Sequence, residues 1–176
     1  MDDYRELKPR SKLFKKIYIA IMLWFVGRSI QAASRVDKDI KKEFDDFPEG
    51  FTFSLGVAPN GPYMVVGKDK QGKVKYLGWN RQGKRIDVDM KLKNIEAAFL
   101  LFTFQESTCR SSARNRLIVD GDVPTAAAIV RVIDMVEVYL LPKLIAKLAI
   151  RRYPSWSIMR TLIGRSRIYF RAILGY

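Results

Sequence analysis

Few side chains in this sequence are able to do chemistry. There is no histidine and a single cysteine, Cys109, which removes the commonest general base, the commonest metal ligand and every Ser-His or Cys-His nucleophile pair. Without an imidazole partner Cys109 reads as a small packing residue, and one cysteine supports neither a disulfide framework nor a cysteine-rich metal site. Two carboxylate pairs remain. Asp87 and Asp89 alternate with Ile86, Val88 and Met90, so they point to one side of a strand and read as a solvated face rather than an acid-base dyad. Asp120 and Asp122 bracket Gly121 at a turn, where capping accounts for them. The expectation is a protein that is not an enzyme and holds no metal and no cofactor.

The elements that carry these residues centre on Arg85 to Pro142. Ile86, Val88, Met90 and Leu92 alternate with Asp87, Asp89, Lys91 and Lys93, which predicts a strand with one dry and one wet face. Asn94 is placed to cap a short helix through Phe104, where Ile95, Ala98, Phe99 and Phe102 recur at helical spacing. Arg116 to Val119 reads as another strand. Asp122 then caps a long helix with Pro124 in its first turn. In that helix Ile129, Ile133, Val136 and Leu140 form one apolar row, while Arg131, Asp134 and Glu137 share a flank and are spaced to pair.

Upstream, Val36, Ile40 and Phe44 space a surface helix that Pro48-Glu49-Gly50 stops. Phe51, Phe53, Leu55 and Val57 alternate as a strand, and Tyr63 to Gly67 and Val74 to Trp79 flank Asp69-Lys70-Gln71-Gly72 as a hairpin. Four strands in succession predict an antiparallel meander with the helices over its apolar face.

The two ends differ from this middle. The net charge is +14 over 176 residues, enough chain for one domain with a core. Residues 1–36 hold eight Lys/Arg against three acids, residues 37–141 sixteen against fifteen, and residues 142–176 eight against none. Ile17 to Val26 is unbroken apolar sequence, but ten helical residues rise only about 15 Å, half of a hydrocarbon core. Arg28 and the acids near the start also argue against a secretory signal. That segment either packs on the domain or lies in a bilayer interface, with Trp24 and Phe25 at headgroup level beside Lys15 and Lys16. Beyond Pro142 and Pro154 a last helix, Ser155 to Leu174, sets Ile158, Leu162 and Tyr169 on one side and Arg160, Arg167 and Arg171 on another, with Trp156 at its start. This basic amphipathic pattern fits an anionic membrane surface. The plainer readings are packing on the N-terminal helix or a homodimer contact. No nucleic-acid motif accompanies the charge.

Arg85-Ile86-Asp87-Val88-Asp89-Met90, then Asn94 to Phe102, then Arg116-Leu117-Ile118-Val119-Asp120-Gly121-Asp122 leading into an apolar helix, resembles the sterol carrier protein type two domain. The similarity covers roughly residues 36–142. It is strongest toward the bacterial lipid-binding accessory proteins of ubiquinone biosynthesis, whose strand reads Arg-Leu-x-Val-x-Gly-Asp and is followed by Glu-x-x-x-x-Pro-Lys, matched here by Glu137 to Pro142-Lys143. The resemblance implies an α+β fold: an antiparallel or mixed five-stranded twisted sheet covered on one face by helices, here with amphipathic helices added at both ends.

Three segments follow, an apolar and basic helix at 1–35, the lipid-binding domain at 36–142, and basic amphipathic helices at 143–176. A hydrophobic cavity lined by Met90, Phe99, Phe102, Ile129, Ile133, Val136 and Leu140 would hold an acyl, sterol or isoprenoid and quinone-type chain. The expected function is non-catalytic binding and transfer or presentation of that lipid at a membrane, in a cytoplasmic, peripherally attached protein. The alternative is an accessory factor that holds lipid-biosynthetic enzymes at the membrane without moving lipid itself.

Overall fold

The computed structural model describes residues 12–141 and 158–174. Two helices come first, α1 (Leu13–Val36) and α2 (Lys38–Asp45), then three strands, β1 (Thr52–Val57), β2 (Tyr63–Lys68) and β3 (Val74–Gly78). After β4 (Val88–Leu92) come α3 (Ile95–Phe102), α4 (Thr108–Ala113), β5 (Leu117–Asp120), α5 (Val123–Leu140) and α6 (Ile158–Leu174). The fold is α+β, with one mixed sheet in the order β3-β2-β1-β4-β5.

Both expected caps form, at Asn94 and Asp122, and Asp37 adds a third that the sequence reading did not place. Asn94 Oδ1 accepts from the Ala97 amide at 2.8 Å, Asp122 Oδ2 from the Thr125 amide at 2.8 Å, and Asp37 Oδ1 from Asp39 and Ile40 at 2.8 and 3.3 Å. The cap at Asp37 divides the expected surface helix from its first residue, Val36, which ends α1 instead. At the other end of α2, Lys68 is buried and its Nζ donates to the carbonyls of Phe44, Asp45 and Phe47 at 2.9, 3.2 and 2.7 Å. A buried ammonium there satisfies carbonyls that the helix leaves without donors.

The meander expectation needs correction. β1, β2 and β3 do run antiparallel, but β4 pairs in parallel with β1, Leu55 opposite Met90, on the side away from β2. Alternation fixes which face a residue takes and leaves its neighbour strand open. Because helices cover one face, the segment between β3 and β4 has to cross the other. It brings Arg81 over the Tyr63 ring, 4.6 Å from its centroid, and into an ion pair with Asp89.

Asp89 is accordingly buried, accepting from the Ser54 hydroxyl and paired with Arg81 and with Lys91 at 2.7 Å. Asp87 is half-buried and accepts from the Thr52 amide at 2.9 Å. The solvated face expected for this pair is instead a partly covered polar seam, with Asp89 buried in it, that ties β4 to β1 and to the crossing loop. Cys109, expected as packing, is exposed on α4.

The dry face of the sheet carries Phe53, Leu55, Val57, Met64, Val66, Val88, Met90 and Leu92, all buried. α1 and α5 lie over it with α3 beside them, and α6 forms an outer layer against α1 and α5. The tight approach of α1 to the sheet depends on Gly27, whose added Cβ would sit 2.6 Å from the Tyr76 ring. α1 extends well beyond the ten-residue apolar run: at 24 residues it is long and apolar enough to cross a membrane. Over half of its most apolar window is buried inside the fold, with Ile19, Leu23 and Ile30 fully enclosed. That pattern is the one a core helix shows.

Candidate functional site

Between the dry face and its helices lies one nearly closed cavity. Val26 of α1, Leu55, Met90 and Leu117 of the sheet, Leu101 and Phe102 of α3, Thr108 of α4, and Ile133 and Glu137 of α5 line it. Its volume is about 20 Å³, room for about one water molecule. Of the residues expected to line a lipid cavity, Met90, Phe102 and Ile133 line this small one. Ile129, Val136 and Leu140 are buried in the core around it. Phe99 turns toward α1, edge-on to Tyr18 at 5.7 Å with Lys15 over its ring at 4.8 Å.

Glu137 is the residue that sequence reasoning placed wrongly. Arg131, the cation of the flank expected to pair with Asp134 and Glu137, reaches instead to Glu43 on α2 at 2.9 Å. Among the described residues the Glu137 carboxyl has no hydrogen-bond or ion-pair partner. Burial pushes it up to about 8, and the neighbouring Asp134 adds to the rise. Burial pushes Asp134 itself up to about 6. A carboxyl held in apolar surroundings keeps its proton because its charged form loses hydration that nothing replaces. The signal was present in the spacing: position 137 follows Ile133 by one helical turn, on the edge of the dry row.

The second feature is on the outside. Leu13, Phe14, Ile17, Ile21 and Trp24 of α1 are exposed, as are Leu162, Ile163, Phe170, Ile173 and Leu174 of α6. These are ten of the fourteen large apolar side chains exposed among the described residues. The two stripes adjoin where Phe25 lies between Trp24 and Tyr169, at ring distances of 6.5 and 5.7 Å. Two hydrogen bonds help hold α6 in place: Arg165 Nε donates to Tyr139 O at 2.8 Å at the end of α5, and Arg28 Nε to Ala172 O at 3.1 Å.

Of the expected membrane-contact residues, Trp24, Lys16, Arg167 and Arg171 are exposed and Phe25 is half-buried. Lys15 is half-buried and pairs with Glu96, as does Lys12 at 2.8 Å. These two lysines, Lys12 first, hold the Glu96 carboxyl below its ordinary range. Trp156 and the side chain of Arg160 lie outside the described residues.

No family model matches this chain, and no curated protein does. Solved structures do. A ubiquinone synthesis protein described as UbiJ-SCP2 aligns with 70% of this chain and 99% of its own at 15% identity, with a TM-score of 0.46. Sterol carrier protein domain 2 of Helicoverpa armigera aligns with 74% of this chain and 94% of its own at 18% identity and a TM-score of 0.41. Sterol carrier protein 2 of Yarrowia lipolytica, in its apo form, aligns with 73% and 94% at 16% identity and a TM-score of 0.41.

Proposed function

We propose that this protein is a non-catalytic lipid carrier that works on an anionic membrane surface, taking a hydrophobic molecule between its sheet and helices and transferring or presenting it. The observation that carries the reading is the double apolar stripe of α1 and α6, which leaves ten large apolar side chains facing water. Soluble monomers rarely expose so much contiguous apolar surface without a partner for it. Lys16, Arg167 and Arg171, exposed on the same helices, suit a surface of anionic headgroups. The sequence resemblance of residues 36–142 to lipid-binding domains supports the internal half of the reading. The exposed thiol of Cys109 suits a reducing, cytoplasmic setting.

A lipid chain needs a pocket on the order of 300 Å³ or more, so loading has to part the layers. α5 buries Ile129, Val132, Ile133, Val136, Tyr139 and Leu140, and α1 buries Ile19, Leu23, Val26 and Ile30. α3 and α4 together bury only Ala97, Ala98, Phe102 and Ser111. At about 1.5–3 kcal/mol for each large apolar side chain, lifting α5 would cost about as much as the whole fold is worth. Lifting α3 and α4 exposes Phe102 and the half-buried Ile95, Phe99 and Leu101, fewer fully enclosed large side chains than α5 or α1 would expose, so that pair is the door.

The smallness of the cavity also favours a second reading, an accessory factor that holds lipid-biosynthetic enzymes at the membrane and moves no lipid. Flotation of the full chain with anionic and zwitterionic vesicles, followed by transfer of a fluorescent sterol between vesicles, separates the two. The carrier reading expects binding to anionic vesicles, loss of binding in Ile17→Glu and Phe170→Glu, and sterol transfer. Flotation without transfer leaves the accessory reading standing. A tight dimer in solution that ignores vesicles overturns both.

A further inference from the structure

The described lining of the cavity is apolar on every side but for Thr108 and the Glu137 carboxyl. Val26 faces it from α1, Leu55, Met90 and Leu117 from the sheet, and Leu101 and Phe102 from α3. No described Lys or Arg lines it, and the charged group beside Glu137 is another acid, Asp134. We propose that Glu137 is the head-group residue of the lipid site, and that it selects lipids ending in a neutral oxygen, a hydroxyl or a carbonyl, over lipids ending in a carboxylate. This rests on the carrier reading and sharpens it to a class of ligand.

The chemistry follows from what the carboxyl lacks. A protonated carboxyl can donate one hydrogen bond and accept another, and among the described residues nothing satisfies it. The carboxyl is only partly buried, so in the empty fold water can meet it, and a ligand oxygen that takes the place of that water makes the hydrogen bond instead. A neutral hydroxyl can accept from the carboxyl and donate to it, and a carbonyl can accept. A fatty-acid carboxylate would bring a second negative charge into an apolar space beside two acids with no described cation on its walls, and burying an unpaired ion costs far more than burying a dipole.

The test uses the full-length protein loaded with dehydroergosterol as a fluorescent probe and displaced by a matched pair, geranylgeraniol and geranylgeranoic acid, near neutral pH. The expected result is that the alcohol competes about tenfold or more better than the acid, a gap of one charge against one hydrogen bond. In Glu137→Leu that preference falls to within about threefold, because the alcohol loses its partner and the acid its repulsion. Glu137→Gln narrows it too, since an amide can donate to a carboxylate. Equal competition by acid and alcohol in the wild type, or an unchanged preference in both variants, overturns the role of Glu137 and leaves the carrier reading intact. Failure of the wild type to bind the probe or either competitor overturns the carrier reading, and this inference with it.

Discussion

Replacing Glu137 by Leu or Gln should stabilise the protein and remove most of the pH dependence that the described residues show between about pH 6 and about 8. A glutamate carboxyl ordinarily near 4.5 is pushed up to about 8 here. Below about 4.5 it is protonated whether the chain is folded or not. Between about 4.5 and about 8 the unfolded chain has released the proton that the folded protein keeps, so stability falls as pH rises, by about 1.4 kcal/mol per pH unit. Asp134, pushed up to about 6, falls off in the same direction but has finished by then. The chain has no histidine, so from about pH 6 to about 8 Glu137 titrates almost alone. Wild-type protein should therefore lose up to about 3 kcal/mol across that window, on the order of 1 M in urea midpoint, and both variants should be nearly flat. Urea unfolding at several pH values measures it. Parallel profiles for wild type and variants would refute the reasoning, because the carboxyl would then be ionised and solvated in the folded state.

Four further outcomes follow from the same structure. Asp89→Ala leaves the partly exposed Arg81 and Lys91 without the buried carboxylate that joins them and should cost about 1–3 kcal/mol, read as a lowered thermal midpoint; a drop of only a few tenths would mean that water screens the two cations. Lys68→Met removes the donor of three carbonyls behind α2 and should cost about 1–3 kcal/mol, with faster amide exchange concentrated in residues 38–47. Gly121→Ala combines a φ of +128° with a Cβ placed 2.6 Å from the Asp87 carbonyl oxygen, so it should destabilise by more than about 1 kcal/mol, and a neutral result would mean that the turn relaxes freely. Tyr18→Phe removes the hydroxyl that donates to Phe102 O at 3.0 Å and should ease opening of α3 by about 1 kcal/mol, about fivefold in sterol uptake rate; unchanged uptake would place the door elsewhere.

Much of the fold was legible because short-range signals decide it. Asn94 and Asp122 cap where their spacing places them, and the alternating runs from Phe51 and Ile86 give β1 and β4. The strand order was not legible, since period-two alternation says nothing about which edge a returning strand joins. Asp89 looked solvated for the same reason: the loop that buries it, with Arg81, reads as polar linker until the crossing is known. The site was legible only in part. Met90, Phe102 and Ile133 could be picked from periodicity, but Phe99 sits at the same helical spacing and faces Tyr18 instead. Glu137 was hidden by a flank of charges read as mutually pairing, in which Arg131 is in helical reach of Asp134 but not of Glu137, and only α2 reveals that Glu43 claims Arg131.

The proposed loading and the cost of Glu137 are two sides of one balance. A carboxyl pushed up to about 8 in an apolar cavity weakens the empty fold near neutral pH, and no described contact returns that cost. A filled leucine there would pack better and cost nothing in protonation, so fold stability alone does not favour an acid at this position. Pairing by a ligand oxygen gives the carboxyl a partner that no described residue supplies, so loading should raise stability by more than the buried chain area alone would give. The lipid head and the layer opening are then coupled: α3 and α4 part at less apolar cost than α1 or α5 would, and the head group that enters is the one able to pair with Glu137 once they close.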